Sequence, residues 1–156
     1  KRMNLSAHVT LAEFERSDAA IRFGIENKMN EFEIERAKEL CENVFEPIRA
    51  HLNKPIKINS GFRSDSVNKR MGGAKTSQHV LGEAMDLDLH ERGLFEWIID
   101  NIDFDQLIGE FPQSGKAQWF HISYRKGRNR KQVLIGTKRA GKTVYLPYSE
   151  AKDLLY

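Results

Sequence analysis

Between residues 30 and 52 the apolar positions Ile34, Ala37, Leu40, Cys41, Val44, Phe45, Ile48 and Leu52 recur at the spacing of one helix face. Asn30 followed by Glu33 predicts a capping box at the start of that helix, and Glu31, Glu33 and Glu35 suit its positive end. Pro47 predicts a kink or a break inside it. Thr10 and Glu13 give the same capping signal for a shorter helix near the amino terminus. Further on the period falls to two. From Ala84 to His90, small or polar Ala84, Asp86, Asp88 and His90 alternate with Met85, Leu87 and Leu89, the pattern of a half-buried strand. A second such run, Ala117 to Tyr124, puts Trp119, His121 and Ser123 on one face.

Other elements follow from the same reading. Ile56 to Asn59 is expected as a strand. Asp65 to Met71 is expected as a short helix ending at Gly72-Gly73, with the second turn residue left-handed. Arg92 to Asn101 is expected as a helix leading to a strand that ends at Glu110, and Gln132 to Thr137 and Thr143 to Pro147 as a hairpin across Ala140-Gly141. This order predicts an α+β fold, with helices packed on a small, mainly antiparallel sheet.

Composition narrows the class. A chain of 156 residues at 40% hydrophobic can bury a sizeable core, and no linker divides it, so a single domain over 1–156 and a monomer are expected. There is no repeat, no apolar run near the ~20 residues of a membrane span, and no signal-peptide core within Lys1 to Thr10. Cys41 is the lone cysteine, which excludes an intrachain disulfide and a thiolate-rich structural metal site. Arg125 to Ser149 carries Arg125, Lys126, Arg128, Arg130, Lys131, Lys138, Arg139 and Lys142 with no acid, and supplies much of the basic pI of about 9.0. Three readings compete for it: a solvated basic face comes first, attraction to an anionic cell wall second, and nucleic-acid binding is the weakest.

The candidate chemistry lies in Ser77-Gln78-His79-Val80-Leu81-Gly82-Glu83-Ala84-Met85-Asp86 and in Trp119-Phe120-His121. Asp86 projects from a strand, Gly82 lets the chain turn back so that His79 can lie beside it, and His121 stands on the second strand. Singly, each is more often a hydrogen-bonded core histidine or a turn aspartate. Together they make a nitrogen and oxygen donor set of the kind that holds catalytic zinc through three protein ligands. Asp88 and His90 are the rival ligands, although a two-residue strand step of about 6.6 Å favours an outer role for them.

Ser77, His79, Gly82, Ala84 and Asp86, with Trp119 and His121, resemble the motifs of the zinc D-alanyl-D-alanine carboxypeptidases and related phage murein endopeptidases. The amino-terminal signalling domain of hedgehog proteins shares their fold. The resemblance extends through His8 to Phe14, Leu40 to Arg49 and Ile58 to Ser64. It covers a core of about residues 8–126 and leaves 127–156 as a basic carboxy-terminal extension.

It implies a hedgehog/DD-peptidase-like fold, one Zn2+ per chain held by His79, Asp86 and His121, and a peptidoglycan stem peptide as substrate. The protein would be bacterial or phage-derived and act on the cell wall, in the periplasm or outside the cell. Many members carry a catalytic acid three residues before the last histidine, where this chain has Gln118. Glu110 is the expected replacement as general base. Arg63 matches an arginine used near the substrate, with Ser77 and Gln78 as further hydrogen-bonding groups beside the first ligand. The missing acid also keeps open a competing reading, a non-hydrolytic zinc-containing binding module.

Overall fold

The computed structural model of the chain describes residues 3–156. Strands β1 (Asn4–Ser6) and β2 (Val9–Thr10) form a small antiparallel pair. Helix α1 (Leu11–Glu15) starts where the Thr10 hydroxyl accepts from Glu13 N at 3.0 Å, and α2 (Asp18–Phe23) follows. Helix α3 (Glu31–Leu40) opens with the expected reciprocal box: Glu33 N donates to Asn30 Oδ1 at 2.9 Å and Asn30 N to Glu33 Oε1 at 2.8 Å.

Pro47 falls just after an interruption of the rod, as a break there predicts. The helix widens into a π turn over Cys41–Phe45, where Glu46 N–H reaches back five residues to Cys41 O. Helix α4 (Glu46–Leu52) then begins afresh, with Pro47 in its first turn, where a missing N–H costs little. Strand β3 (Ile58–Ser60) and helix α5 (Asp65–Arg70) come next. Gly72, not Gly73, takes the left-handed conformation after α5.

The remaining strands are β4 (Ala84–Leu87), β5 (Gln106–Glu110), β6 (Trp119–Ser123), β7 (Gln132–Arg139) and β8 (Lys142–Pro147), with helix α6 (Arg92–Asn101) between β4 and β5 and α7 (Tyr148–Ala151) after β8. With β3 they form one six-stranded sheet in the order β3-β4-β6-β5-β7-β8. All neighbours run antiparallel except β5 and β7, which are parallel. The basic carboxy-terminal stretch therefore supplies two strands of the main sheet. Its turn is Ala140-Gly141, both at positive φ, as a two-residue hairpin loop requires.

Burial decides the register. Met85 and Leu87 of β4 pair with Ile122 and Phe120 of β6, and all four are fully buried. They pack with Leu40, Cys41, Val44, Phe45 and Ile48 of the long helical rod and with Phe95 and Ile98 of α6. Phe95 meets Phe120 edge to face at 5.1 Å. Each such side chain contributes about 1.5–3 kcal/mol by leaving water. A one-residue slip of β4 would turn Met85 and Leu87 outward and Asp86 inward, so the core fixes which face Asp86 occupies.

The crossover from β6 to β7 is also fixed by burial. Asp105, fully buried, accepts from Arg130 N and Nε at 2.9 Å and from Arg130 Nη2 at 2.9 Å. Arg125 pairs with buried Glu83 at 3.0 Å. Two of the cations expected on a solvated basic face thus hold the sheet together. Among the described residues no helix is long and apolar enough to cross a membrane.

Candidate metal centre

Strand β4 ends at Leu87, where Asp88 N bonds to Lys57 O at 3.0 Å, earlier than the alternation through His90 predicts. On it Asp86 pairs directly with His121 of β6. Paired residues share a face, so the two side chains meet on the side of the sheet opposite Met85 and Phe120. His79 arrives from a 3-10 turn, Gln78–Leu81, capped by Ser77, whose Oγ accepts from His79 N at 3.3 Å.

Gly82 closes that turn at φ +77, and a Cβ there would stand 2.7 Å from the backbone oxygen of Glu33 in α3. Gly82→Ala is therefore expected to destabilise the fold by about 1–3 kcal/mol, combining left-handed strain with a clash against rigid backbone. A melting temperature lowered by several degrees would show it. An unchanged melting temperature would mean that the turn has no such constraint.

The three side chains form one cluster. His79 Nε2 lies 3.3 Å and His121 Nδ1 3.0 Å from Asp86 Oδ1, and the ligand atoms of all three lie within 4.8 Å of one another. Tetrahedral zinc with ligands at 2.0–2.2 Å needs donor atoms about 3.3 Å apart, so the spacing fits. The tautomer of His79 fits as well. Its Nδ1 lies 2.7 Å from Gly61 O, and because a carbonyl only accepts, Nδ1 carries the proton and Nε2 faces Asp86. A lone pair on Nε2 opposite a carboxylate oxygen is repulsive unless a cation or a proton lies between them. Burial alone would raise the Asp86 carboxyl. Without metal, a proton in the gap that a cation would fill makes His79 positive, and that charge, with the hydrogen bonds from His121 and His79, outweighs burial and holds Asp86 well below the usual carboxylate range.

Asp88 and His90 do not join the cluster. They pair with each other at 2.9 Å beyond the end of β4, and His90 Nδ1 donates to Ala117 O at 2.9 Å.

Glu110 stands at the end of β5, paired with Trp119, on the same face as His121. Its side chain is buried, and its Oε1 has no hydrogen-bond partner among the described residues. Burial first, and the negative charge of Asp86 second, push its carboxyl up to about 7 against the opposing pull of His121. Gln118 is exposed and meets Glu110 only through the backbone, its N–H bonding Glu110 O at 2.8 Å.

Arg63 N donates to His79 O at 3.1 Å, tying its loop to the histidine turn. Its Nη2 reaches Ser77 Oγ at 3.4 Å, and its Nε is buried without a partner among the described residues. Burial lowers the Arg63 guanidinium and the nearby Asp86 charge opposes this, so the cation lies within range of the cluster. Gln78 is oriented otherwise. Its Nε2 donates to Asp105 Oδ2 at 3.0 Å and Glu83 Oε1 at 3.3 Å, so the amide is engaged in the buried network that holds the crossover.

Two residues beside Glu110 have no counterpart in the sequence reading. A Cβ at Gly136 of β7 would stand 2.5 Å from Glu110 Oε1 and 2.9 Å from Cε1 of Tyr145 in β8. Their only sequence signal is the hairpin, which does not reveal that β7 lies parallel to β5.

The family model described as Peptidase M15 matches residues 7–123. The zinc D-Ala-D-Ala carboxypeptidase of Streptomyces albus G is 46% identical to this chain over 79 residues. That stretch is 49% of the chain but 30% of that protein, so the match spans less than a third of the relative.

Proposed function

The chain belongs to the peptidase M15 family, and from that membership we propose that it is a zinc metallopeptidase that hydrolyses an amide bond in bacterial peptidoglycan stem peptides. His79, Asp86 and His121 hold the zinc, one ion per chain, in a single domain of hedgehog/DD-peptidase-like fold. When bound, zinc acts as a Lewis acid toward a carbonyl oxygen and brings water toward ionisation near neutral pH. Glu110 takes the proton of the attacking water on its carboxylate and returns it to the leaving amine. Arg63 orients the substrate, its planar fork suiting a carbonyl or a terminal carboxylate, with Ser77 Oγ positioning the guanidinium.

The observation that carries this reading is Glu110 itself. Buried on the sheet face that bears Asp86 and His121, this carboxyl is pushed up to about 7 without metal, and a cation on the cluster would draw it down toward a base ionised near neutrality. This weighs against the non-hydrolytic reading, which leaned on the amide at Gln118. The test is incubation of the zinc-loaded protein with purified muropeptides and mass analysis of the products. Expected is splitting of a stem peptide by addition of one water, either of terminal D-alanine or within the stem. Gln118→Ala should turn over within about threefold of the parent, because an exposed amide touching Glu110 only through its backbone makes no contact with the reaction. Muropeptides that bind but stay intact would favour the binding module.

A further inference from the structure

The hairpin β7–β8 lies wholly outside the matched residues 7–123, yet the register carries it to the candidate base. Trp119 pairs with Glu110, Glu110 with Gly136, and Gly136 with Tyr145. These four residues form one row across β6, β5, β7 and β8 on a single face of the sheet. Asp86 and His121 lie on that face one step along, so the order across the sheet runs from Asp86 and His121 through Glu110 to Tyr145.

Gly136 makes the approach possible. The point its Cβ would occupy is 2.5 Å from Glu110 Oε1 and 2.9 and 3.3 Å from Cε1 and Cδ1 of the Tyr145 ring, so carboxylate and ring lean together over bare backbone. Tyr145 nevertheless remains 50% exposed, so part of the side chain is open to a ligand. Burial, followed by the charges of Glu110 and Asp86, pushes its phenol up and keeps the hydroxyl a donor.

We propose that Tyr145 is a substrate-binding residue of this site, its ring flanking the substrate beyond Glu110 and its hydroxyl donating to a main-chain carbonyl on the leaving-amine side of the substrate peptide. The side follows from position, because Glu110 delivers the proton to the leaving amine and Tyr145 stands beyond Glu110 from the metal ligands. This rests on the zinc-peptidase reading. It makes the carboxy-terminal hairpin a working part of the enzyme.

The test compares the zinc-loaded parent chain, Tyr145→Phe and Tyr145→Ala on the muropeptide that the parent cleaves. Expected for Tyr145→Ala is a KM raised about tenfold with zinc content unchanged, and for Tyr145→Phe a partial return, with a residual loss of about threefold for the missing hydroxyl hydrogen bond. A side chain with only a structural role would lower the melting temperature and leave KM unmoved. Values of KM within twofold of the parent for both variants would overturn the proposal. Muropeptide affinity is measured in parallel with each protein carrying Glu110→Gln, followed by isothermal titration calorimetry. If the parent cleaves nothing, the peptidase reading fails by itself, and the Tyr145 contact is judged by affinity: a tenfold weaker Kd in the alanine variant upholds it and an unchanged Kd removes it.

Discussion

Substituting Asp86 by alanine is expected to empty the metal site. The carboxylate is the single anion among the three candidate ligands and lies 3.3 Å from His79 Nε2 and 3.0 Å from His121 Nδ1, so it both donates to the ion and holds the imidazoles around it. Residues that merely orient a ligand cost 10–100-fold in metal affinity when removed, so loss of a ligand should exceed about 100-fold. Parent protein should bind about one zinc per chain, lose activity to a chelator and recover it with zinc. Asp86→Ala should retain none after gel filtration. Thermal melting gives a second readout. A ligand that binds only the folded state raises stability in proportion to the logarithm of its concentration over Kd. Zinc should therefore raise the melting temperature of the parent and leave that of the variant unmoved. A variant that still held one zinc would place the ion elsewhere and undo the assignment of all three ligands.

That cluster was legible because its signals are local. The alternation around Asp86 and His121 sorts the apolar side chains onto one face of the sheet, and Met85, Leu87, Phe120 and Ile122 do fill the core there. Gly82 marked the turn that returns His79, and it takes the left-handed conformation that the turn needs. Helix α6 runs over Arg92–Asn101 as its pattern predicts.

The pairings of β4 with β6 and of β5 with β6 follow from the expected strands, but the place of the carboxy-terminal hairpin does not. The parallel contact of β5 with β7 leaves no trace in either strand's own pattern, so nothing in the letters brings Gly136 and Tyr145 to Glu110. The same holds for the basic stretch, which reads as solvated until Arg130 is seen on Asp105 and Arg125 on Glu83, partners 25 and 42 positions away. Strand ends also escaped. The alternation through Asp88 and His90 continues past the point where the ladder stops, because alternation reports which side is buried and not which backbone groups are paired. The π turn at Cys41–Phe45 went unseen for a related reason: one extra residue in a turn shifts the apolar stripe too little to break its spacing.

Glu110→Gln is expected to separate catalysis from stability in opposite directions. Without the carboxylate no group takes the water's proton, so kcat/KM should fall by about 10^2 to 10^4 while zinc content stays the same. In the parent, activity should climb with pH along an acid limb at or below about 7, because the carboxyl stands at about 7 without metal and a bound cation favours its charged form. Stability should move the other way. Between the ordinary carboxyl value of 4.5 and about 7 the folded state keeps a proton that the unfolded chain releases, so zinc-free parent loses stability as pH rises through that window. The cost is complete above it and reaches up to about 3 kcal/mol at the usual conversion of a pKa difference. A glutamine of the same shape carries no charge to bury and escapes that penalty. The zinc-free variant should therefore melt higher than the parent at pH 8, with the gap closing toward pH 5 and shrinking when zinc is added. A gap independent of pH would mean that the buried carboxyl does not titrate as its surroundings require. Unchanged turnover in the variant would move the base to another residue.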